Sequence, residues 1–501
     1  MRHFKVVLIS LYCYDSFAVR SLYSLLKGKG YDVEAVFFKQ LVSNRMERPS
    51  DKDMQLLLGL LKQWNPALIG LSVRSPFFGI ARDLIQRIRS EVDSAIVLGG
   101  IHATICPEEC IRYAEIVCIG EGEDPLLELC RNMARGRSIK RIRNLWIRDG
   151  RKVIKNDIRP LLQDLDVSRP DYSDSRKYFI DDDALSDRDP ILENTSYSIM
   201  ASRGCPFQCT FCINSVLKRI YEGKGPYVRK RSVADVIDEL VVAKRRFRNL
   251  KRIMFIDEVF VLDKKWLGRF VKEYRTRIGL PFTCEFYPTT VDDETITMLK
   301  RAGLTNVTMG IQSGSERTRN AIYRRYTPKK VILKAMAIFK KHGIFATYDL
   351  ILDNPLEDED DLRATLDLCL RIPRPFGLNL FSLVNFPKTA LTEEFIRMGC
   401  IDGGKAMKAL NEWRMSIGAQ RDDKSLYWNS LISLAGQRHF PRHVIVMLSR
   451  MKLIKGHPSL LIPVYRASGR VEYAIDTATL LAKGKIPLSS VMRRLRKVRK
   501  V

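Results

Sequence analysis

Short apolar runs of strand length alternate with segments whose apolar residues recur every three or four positions, and this alternation fills most of the first 400 residues. In the first part, 4–10, 32–38, 67–73, 95–98 and 116–119 predict strands. Between and after them, 17–29, 51–64, 76–92 and 124–135 predict helices. Short strands that are apolar throughout and separated by helices predict a doubly wound, Rossmann-like parallel sheet over residues 1–140. A hairpin is predicted over 144–155, with Asp149-Gly150 at its turn. Residues 156–196 carry Pro160, Pro170, Pro190 and the run Asp181-Asp182-Asp183, and read as a linker crossing between domains. The stretch 141–190 is therefore assigned to hairpin and linker.

From residue 197 the alternation resumes. Strands are predicted at 197–201, 252–256, 281–286, 306–311, 345–351 and 377–383. Helices are predicted near 232–249, 263–277, 292–302, 328–342, 358–371 and 391–398. Six such units predict an α/β fold of partial (β/α)6 barrel type over 191–400, with ligands at the C-terminal ends of the strands. Residues 401–501 form a mixed, basic C-terminal region, placed by position to close the barrel mouth.

Composition narrows the classes. A hydrophobic content of 46% in 501 residues excludes general disorder. No run of about 18 apolar residues is present, which argues against a membrane-spanning helix. The apolar stretch after Met1-Arg2-His3-Phe4-Lys5 is short for a secretory signal, so a cytoplasmic location is expected. Lysine and arginine number 85 against 57 acidic residues, a net +28 that implies an anionic partner. Residues 401–501 hold 20 cations and 6 anions, so half the excess lies in the last fifth of the chain. The tail from Val491 to Val501 spaces Val491, Leu495 and Val498 at helical intervals among six cations. That pattern suits a short helix on an anionic membrane surface, a phosphate- or RNA-binding patch, or a solvated end.

The chemistry is concentrated in Ser202-Arg203-Gly204-Cys205-Pro206-Phe207-Gln208-Cys209-Thr210-Phe211-Cys212, a C-x3-C-x2-C pattern directly after a predicted strand. Three such thiolates can hold three irons of a cubane cluster and leave the fourth open. A structural zinc site takes four protein ligands, and this loop contains no fourth cysteine or histidine.

This loop resembles the cluster motif of the radical S-adenosylmethionine (SAM) superfamily, and the resemblance covers roughly residues 191–400. It implies a [4Fe-4S] cluster on Cys205, Cys209 and Cys212. It also implies SAM on the unique iron, cleaved by one electron from an external reductant to methionine and a 5′-deoxyadenosyl radical. By the same resemblance Phe211 packs near the adenine, Asp257 and Glu258 face the methionine moiety, and Gln312 and Ser313 serve the ribose. Glu285 is a further polar candidate. Many relatives have glutamate where Gln312 stands, and Leu352-Asp353-Asn354-Pro355-Leu356-Glu357 replaces a more glycine-rich pattern.

A doubly wound domain ahead of such a barrel resembles the cobalamin-binding class of the superfamily. The resemblance places cobalamin at the C-terminal edge of the first sheet, beside Gly99, Gly100, His102 and Thr104. The Asp-x-His-x-x-Gly pattern that supplies a lower axial histidine in classical B12 enzymes is absent; the first loop reads Leu11-Tyr12-Cys13-Tyr14-Asp15-Ser16-Phe17. Cys106, Cys110, Cys118 and Cys130 are read as buried small side chains.

The implied function is a cobalamin-dependent radical SAM enzyme methylating an unactivated carbon or phosphorus centre of a lipid or small molecule. Lipid-modifying relatives, with the basic tail, make peripheral contact at the inner face of an anionic membrane an expectation. The alternatives are a radical cyclase or ring-rearranging enzyme without methyl transfer, and a non-catalytic RNA-binding iron–sulfur protein. Nucleic acid is not the expected partner, because no RNA-binding module is recognisable.

Overall fold

The computed structural model of the protein describes residues 4–41, 46–167, 169–173, 175–260, 263–404 and 422–482. The basic tail from Val491 to Val501 lies outside the described residues.

The first sheet has nine strands: β1 Lys5–Leu11, β2 Asp32–Phe38, β3 Leu68–Ser72, β4 Ala95–Gly99, β5 Ile116–Cys118, β6 Leu145–Asp149, β7 Lys152–Lys155, β8 Lys177–Asp181 and β9 Ala184–Ser186. Their order is β7-β6-β5-β4-β3-β1-β2-β8-β9. Residues 6–11 of β1 are all buried, because helices cover both faces of the central parallel strands. The chain runs from β1 to β2 on one side, then crosses to β3 on the other. That reversal beside β1 leaves a crevice at the C-terminal ends of β1 and β3.

The predicted hairpin is the antiparallel pair β6–β7, at the edge next to β5. The segment read as linker behaves differently. Its Lys177-Tyr178-Phe179-Ile180 pairs in parallel with β2, and β9 folds back on β8. Phe179 stacks on Phe37 at 5.0 Å, which draws this strand into the sheet despite the acidic run that follows it.

The second sheet is all parallel, in the order β10 Ser196–Ile199, β13 Arg252–Phe255, β14 Phe282–Phe286, β15 Leu304–Gln312, β16 Phe345–Leu352 and β17 Gly377–Ser382. The two-residue strands β11 Ser202–Arg203 and β12 Arg229–Lys230 pair beside it. This is the partial barrel read from the six strand–helix units, with bounds displaced by a few residues at most. In β14 and β16 burial alternates. Phe282, Cys284, Phe286, Ala346, Tyr348, Leu350 and Leu352 pack under the helices. Thr283, Glu285, Thr347 and Asp349 are half-buried on the opposite, inner face.

Of the C-terminal region, residues 401–404 and 422–482 are described, and the helix at 423–436 docks on the barrel's flank and on the loop after β16. Helix Asp423–Gly436 packs against helix Glu359–Arg371 and β17, and adds Tyr427, Trp428, Leu431 and Ile432 to the barrel's core. Lys424 Nζ donates to the Glu357 carbonyl at 2.6 Å, fixing the helix to the loop after β16.

Candidate active site

β10 delivers the chain to the three-cysteine loop at the C-terminal mouth of the barrel. Gly204 makes the entry with φ +88°, and a Cβ there would lie 2.3 Å from the Tyr227 carbonyl oxygen, so only glycine fits. The loop closes on itself through Cys212 N–H to the Cys209 carbonyl, 3.1 Å. Helix Ile213–Ile220 then starts directly after Cys212, whose carbonyl accepts from the Ser215 hydroxyl at 2.7 Å. Thr210 fastens the loop to the far side of the barrel: its N–H donates to the Tyr323 carbonyl and its hydroxyl to the Ile322 carbonyl.

Cys209 is buried, while Cys205 and Cys212 are partly exposed. Burial pushes the Cys205 thiol up to about 11 and the Cys212 thiol up to about 12. Thiolates form there once a bound cation supplies the compensating charge, so three free sulfurs on one loop fit an iron–sulfur cluster.

Two residues with no sequence signal complete the loop's surroundings. Arg325 is 8% exposed; its Nη1 donates to Cys209 Sγ at 3.3 Å and its Nη2 to the Gly310 carbonyl at 2.7 Å. The same guanidinium lies 4.3 Å from the ring centre of Tyr287. The Tyr287 ring also stacks on Phe207 of the cysteine loop, at 3.6 Å and 13°. A phenyl ring, a phenol ring and a guanidinium thus form one column that locks the loop to the ends of β14 and β15.

The polar residues expected at the site divide. Glu258 is reached by solvent though protein surrounds most of it, and burial raises its carboxyl above the ordinary range. Glu285, on the inner face, is raised to about 7, first by burial and then by Asp349, Glu258 and Asp257. Gln312 follows a bulge in β15 with φ +71°, a left-handed conformation rare for a non-glycine residue and characteristic of binding sites. These three line the mouth.

Asp257 and Ser313 do not. Asp257 is 1% exposed, and its carboxylate accepts the Ala201 N–H at 3.1 Å and the Ser202 hydroxyl. It holds the backbone entering the cysteine loop, and burial raises it to about 6. Ser313 is 1% exposed, and its hydroxyl donates to Glu357 Oε1 at 2.9 Å, beside Thr365 Oγ1. Its bonding capacity is used inside the fold. Phe211 packs edge-on to Tyr323 at 5.0 Å, against Leu391 and Phe395.

In the first sheet a cavity of about 300 Å³ opens at the switch point. Leu22, Cys118, Leu126 and Leu129 make it apolar, and Gly99, Gly100, Gly120 and Gly122 border it. A Cβ on Gly99 would have no contact closer than 4.0 Å, so the missing side chain leaves open space. Met200 and Arg203, from the barrel, close the wall nearest the cysteine loop. An apolar slot with glycine edges fits a flat cofactor such as a corrin. Thr104 braces it by donating to the Gly100 carbonyl at 2.9 Å and accepting the Gly120 N–H at 3.0 Å.

His102 is not part of this lining. It sits in the short helix Ile101–Ile105, fully buried, with its ring 4.2 Å from that of Phe78. The helix turns it away from the slot. Among the described residues lining the cavity there is no histidine to act as a lower axial ligand, in line with the missing Asp-x-His-x-x-Gly pattern. Cys106, Cys110, Cys118 and Cys130 are all buried.

Comparison with known proteins agrees with this geometry. Residues 5–130 match the family model of the B12 binding domain, and residues 199–369 that of the radical SAM superfamily. An uncharacterized methyltransferase of Pyrococcus horikoshii is 28% identical over 322 residues, covering 62% of this chain and 66% of the relative. An anaerobic magnesium-protoporphyrin IX monomethyl ester cyclase of Cereibacter sphaeroides is 24% identical over 61% of this chain and 49% of its own length. The matches thus span about half to two thirds of these curated relatives.

Among solved structures, the radical SAM methyltransferase TsrM from Kitasatospora setae, with tryptophan and a SAM analogue bound, superposes with a TM-score of 0.63 at 21% identity. That match covers 78% of this chain and 76% of TsrM. The cobalamin-dependent SAM radical enzyme OxsB, with aqua-cobalamin and SAM bound, gives 0.65 at 15% identity over 97% of this chain and 82% of its own. At these identities the likeness is one of fold: the same sheet, followed by the same barrel.

Proposed function

The chain belongs to the radical SAM superfamily, in the class with an N-terminal B12-binding domain, and from that premise we propose a cobalamin-dependent methyltransferase acting on an unactivated carbon or phosphorus centre. The observation that supports this reading is spatial. Met200 and Arg203, the residues that lead into the loop bearing Cys205, Cys209 and Cys212, line the glycine-edged cavity, Arg203 two residues ahead of Cys205.

When bound, the cluster supplies the electron that cleaves SAM, and cobalamin supplies methyl transfer. The rest is done by this chain's own side chains. Cys205, Cys209 and Cys212 offer three sulfur ligands, and Arg325 donates an N–H to the Cys209 sulfur. The Phe207–Tyr287 stack keeps solvent from one flank of the loop. Glu258, Glu285 and Gln312 offer acceptors at the barrel mouth to the amino and hydroxyl groups of SAM. Glu285, near neutrality in its proton affinity, holds or releases a proton at its carboxyl as the site fills.

The acceptor is proposed to be a lipid or another small molecule, with an external one-electron reductant. No helix among the described residues is long and apolar enough to cross a membrane. The cation-rich tail favours peripheral contact with an anionic surface on the cytoplasmic side.

The test is anaerobic reconstitution with iron, sulfide and hydroxocobalamin, then product counting with candidate acceptors. About four irons and one cobalt per chain, with both S-adenosylhomocysteine and 5′-deoxyadenosine formed, supports methylation. Cys209→Ala should abolish 5′-deoxyadenosine while the N-terminal domain stays folded. A ring-forming reaction, suggested by the cyclase among the relatives, gives 5′-deoxyadenosine without S-adenosylhomocysteine. Four irons with no cobalt would make the first domain a scaffold and turn the proposal toward rearrangement.

A further inference from the structure

Behind the Gly99-Gly100 turn, helix Ile101–Ile105 carries His102, the short helix Pro107–Cys110 carries Glu109, and Cys106 joins the two, so the three are spaced i, i+4 and i+7. Their ligand atoms, an imidazole nitrogen, a thiol sulfur and a carboxylate oxygen, all lie within 4.8 Å of one another. His102 is 0% exposed and Cys106 8%, while the Glu109 side chain is 39% exposed and opens the trio to solvent on one side.

The histidine is oriented as a ligand. Its Nδ1 lies 3.1 Å from the buried Ser75 hydroxyl, and the stacked Phe78 ring fixes the plane. A proton on Nδ1, donated to Ser75, leaves the Nε2 lone pair facing the trio. That Nε2 is buried and makes no hydrogen bond; the Glu109 carboxylate lies 3.4 Å away but out of line for one. A buried polar atom without a partner is costly, on the order of 1–3 kcal/mol, and calls for an explanation. A histidine whose second nitrogen is held by a hydroxyl while the first faces a thiol and a carboxylate has the arrangement of a metal ligand and its outer support.

We propose that His102 Nε2, Cys106 Sγ and the Glu109 carboxylate form a binding site for a thiophilic divalent cation, Zn²⁺ being the best match, with solvent in the fourth position. Mixed nitrogen, sulfur and oxygen donors with an open position suit zinc. Zinc bonds of about 2.0–2.3 Å need ligand atoms somewhat closer than they now stand, and the half-exposed Glu109 is the member free to move in. The site lies at the seam between the two domains. Ile105 and Cys106 pack against Val216, with Ile213 and Leu217 beside them, on the helix that starts directly after Cys212. A cation there would fix the 102–109 segment whose Ile105 and Cys106 pack on the helix that follows the cluster loop.

The experiment uses the full chain with Cys205→Ala, Cys209→Ala and Cys212→Ala, so that the cluster thiols cannot take the probe. Cobalt(II) chloride is titrated in and thiolate-to-cobalt charge-transfer absorption recorded. We expect one equivalent of Co²⁺ with that absorption, displaced by Zn²⁺. Adding Cys106→Ser should remove the absorption, and adding Glu109→Gln should weaken affinity at least about tenfold. Because the triple variant can misfold, zinc analysis of the desalted, iron-loaded wild-type chain is the second measurement. One zinc per chain beyond the iron, lost in Cys106→Ser, supports the site. Absence of zinc from the wild-type chain, or charge-transfer absorption that survives Cys106→Ser, overturns it.

Discussion

Arg203 and Glu123 are ion-paired across the domain boundary, Nη2 to Oε1 at 2.6 Å. The guanidinium precedes the first cysteine of the loop by two residues, and the carboxylate opens the helix Glu123–Ala134 that borders the cavity. Its other nitrogen reaches Glu121 at 3.0 Å, and Glu121 is also held by Arg229 at 2.9 Å. Arg203→Met keeps the bulk and removes both bonds. We expect a loss of about 1–3 kcal/mol in thermal or urea unfolding, and lower cobalt retention after desalting with iron content unchanged. Unaltered cobalt content would show that the pair only holds the domains together.

Arg325→Met tests the column on the cysteine loop. A hydrogen bond to a cluster sulfur stabilises the reduced, more negative state, so its removal lowers the reduction potential. A net bond of about 1 kcal/mol corresponds to roughly 40 mV for one electron. A potentiometric titration followed by electron paramagnetic resonance should show a shift in the negative direction, with iron content kept. A positive or zero shift would rule out this role.

Glu285 carries a pH signature. Its folded value of about 7 stands above the ordinary 4.5 because burial and neighbouring carboxylates disfavour its charge. Between these values the folded chain keeps a proton the unfolded chain has lost, so stability falls as pH rises through this window. Glu285→Gln removes the penalty. The variant should match the wild type near pH 4.5 and exceed it at pH 8 by on the order of 2 kcal/mol, read from denaturant midpoints.

Gly120→Ala addresses the cavity rim. Gly120 has φ +87°, and a Cβ there would stand 2.2 Å from the Tyr221 hydroxyl. Tyr221 caps the helix that follows Cys212, so the added methyl pushes on that helix and on the cavity together. We expect cobalt binding to be lost before iron binding. Adding Tyr221→Phe relieves the contact but not the backbone strain of about 1–2 kcal/mol, and should restore binding only in part.

The strands were legible because parallel strands buried on both faces leave uninterrupted apolar runs, as in 6–11 of β1, and because the helices between them keep their own period. The cysteine loop was legible because its three ligands are close in sequence. Arg325 and Tyr287 were not: each is a single residue in an ordinary segment, and only folding brings them to Cys209 and Phe207. Asp257 and Ser313 stand where the resemblance placed ligand contacts, but their partners, the Ala201 N–H and Glu357, lie 56 and 44 positions away. β8 escaped because its partner β2 is more than a hundred residues upstream, and its five residues are followed by an acidic turn.

The stretch between the two sheets is no tether. β8 is hydrogen-bonded into the first sheet, and a few residues on, Asp189 accepts a two-pronged pair from Arg20, with both side chains 1% exposed or less. A swing of the barrel away from the sheet would have to part the Arg203–Glu123 and Arg229–Glu121 pairs, which cross from one to the other. Parting the two halves is therefore coupled to the rim of the cavity, because Arg203, Glu121 and Glu123 all line it.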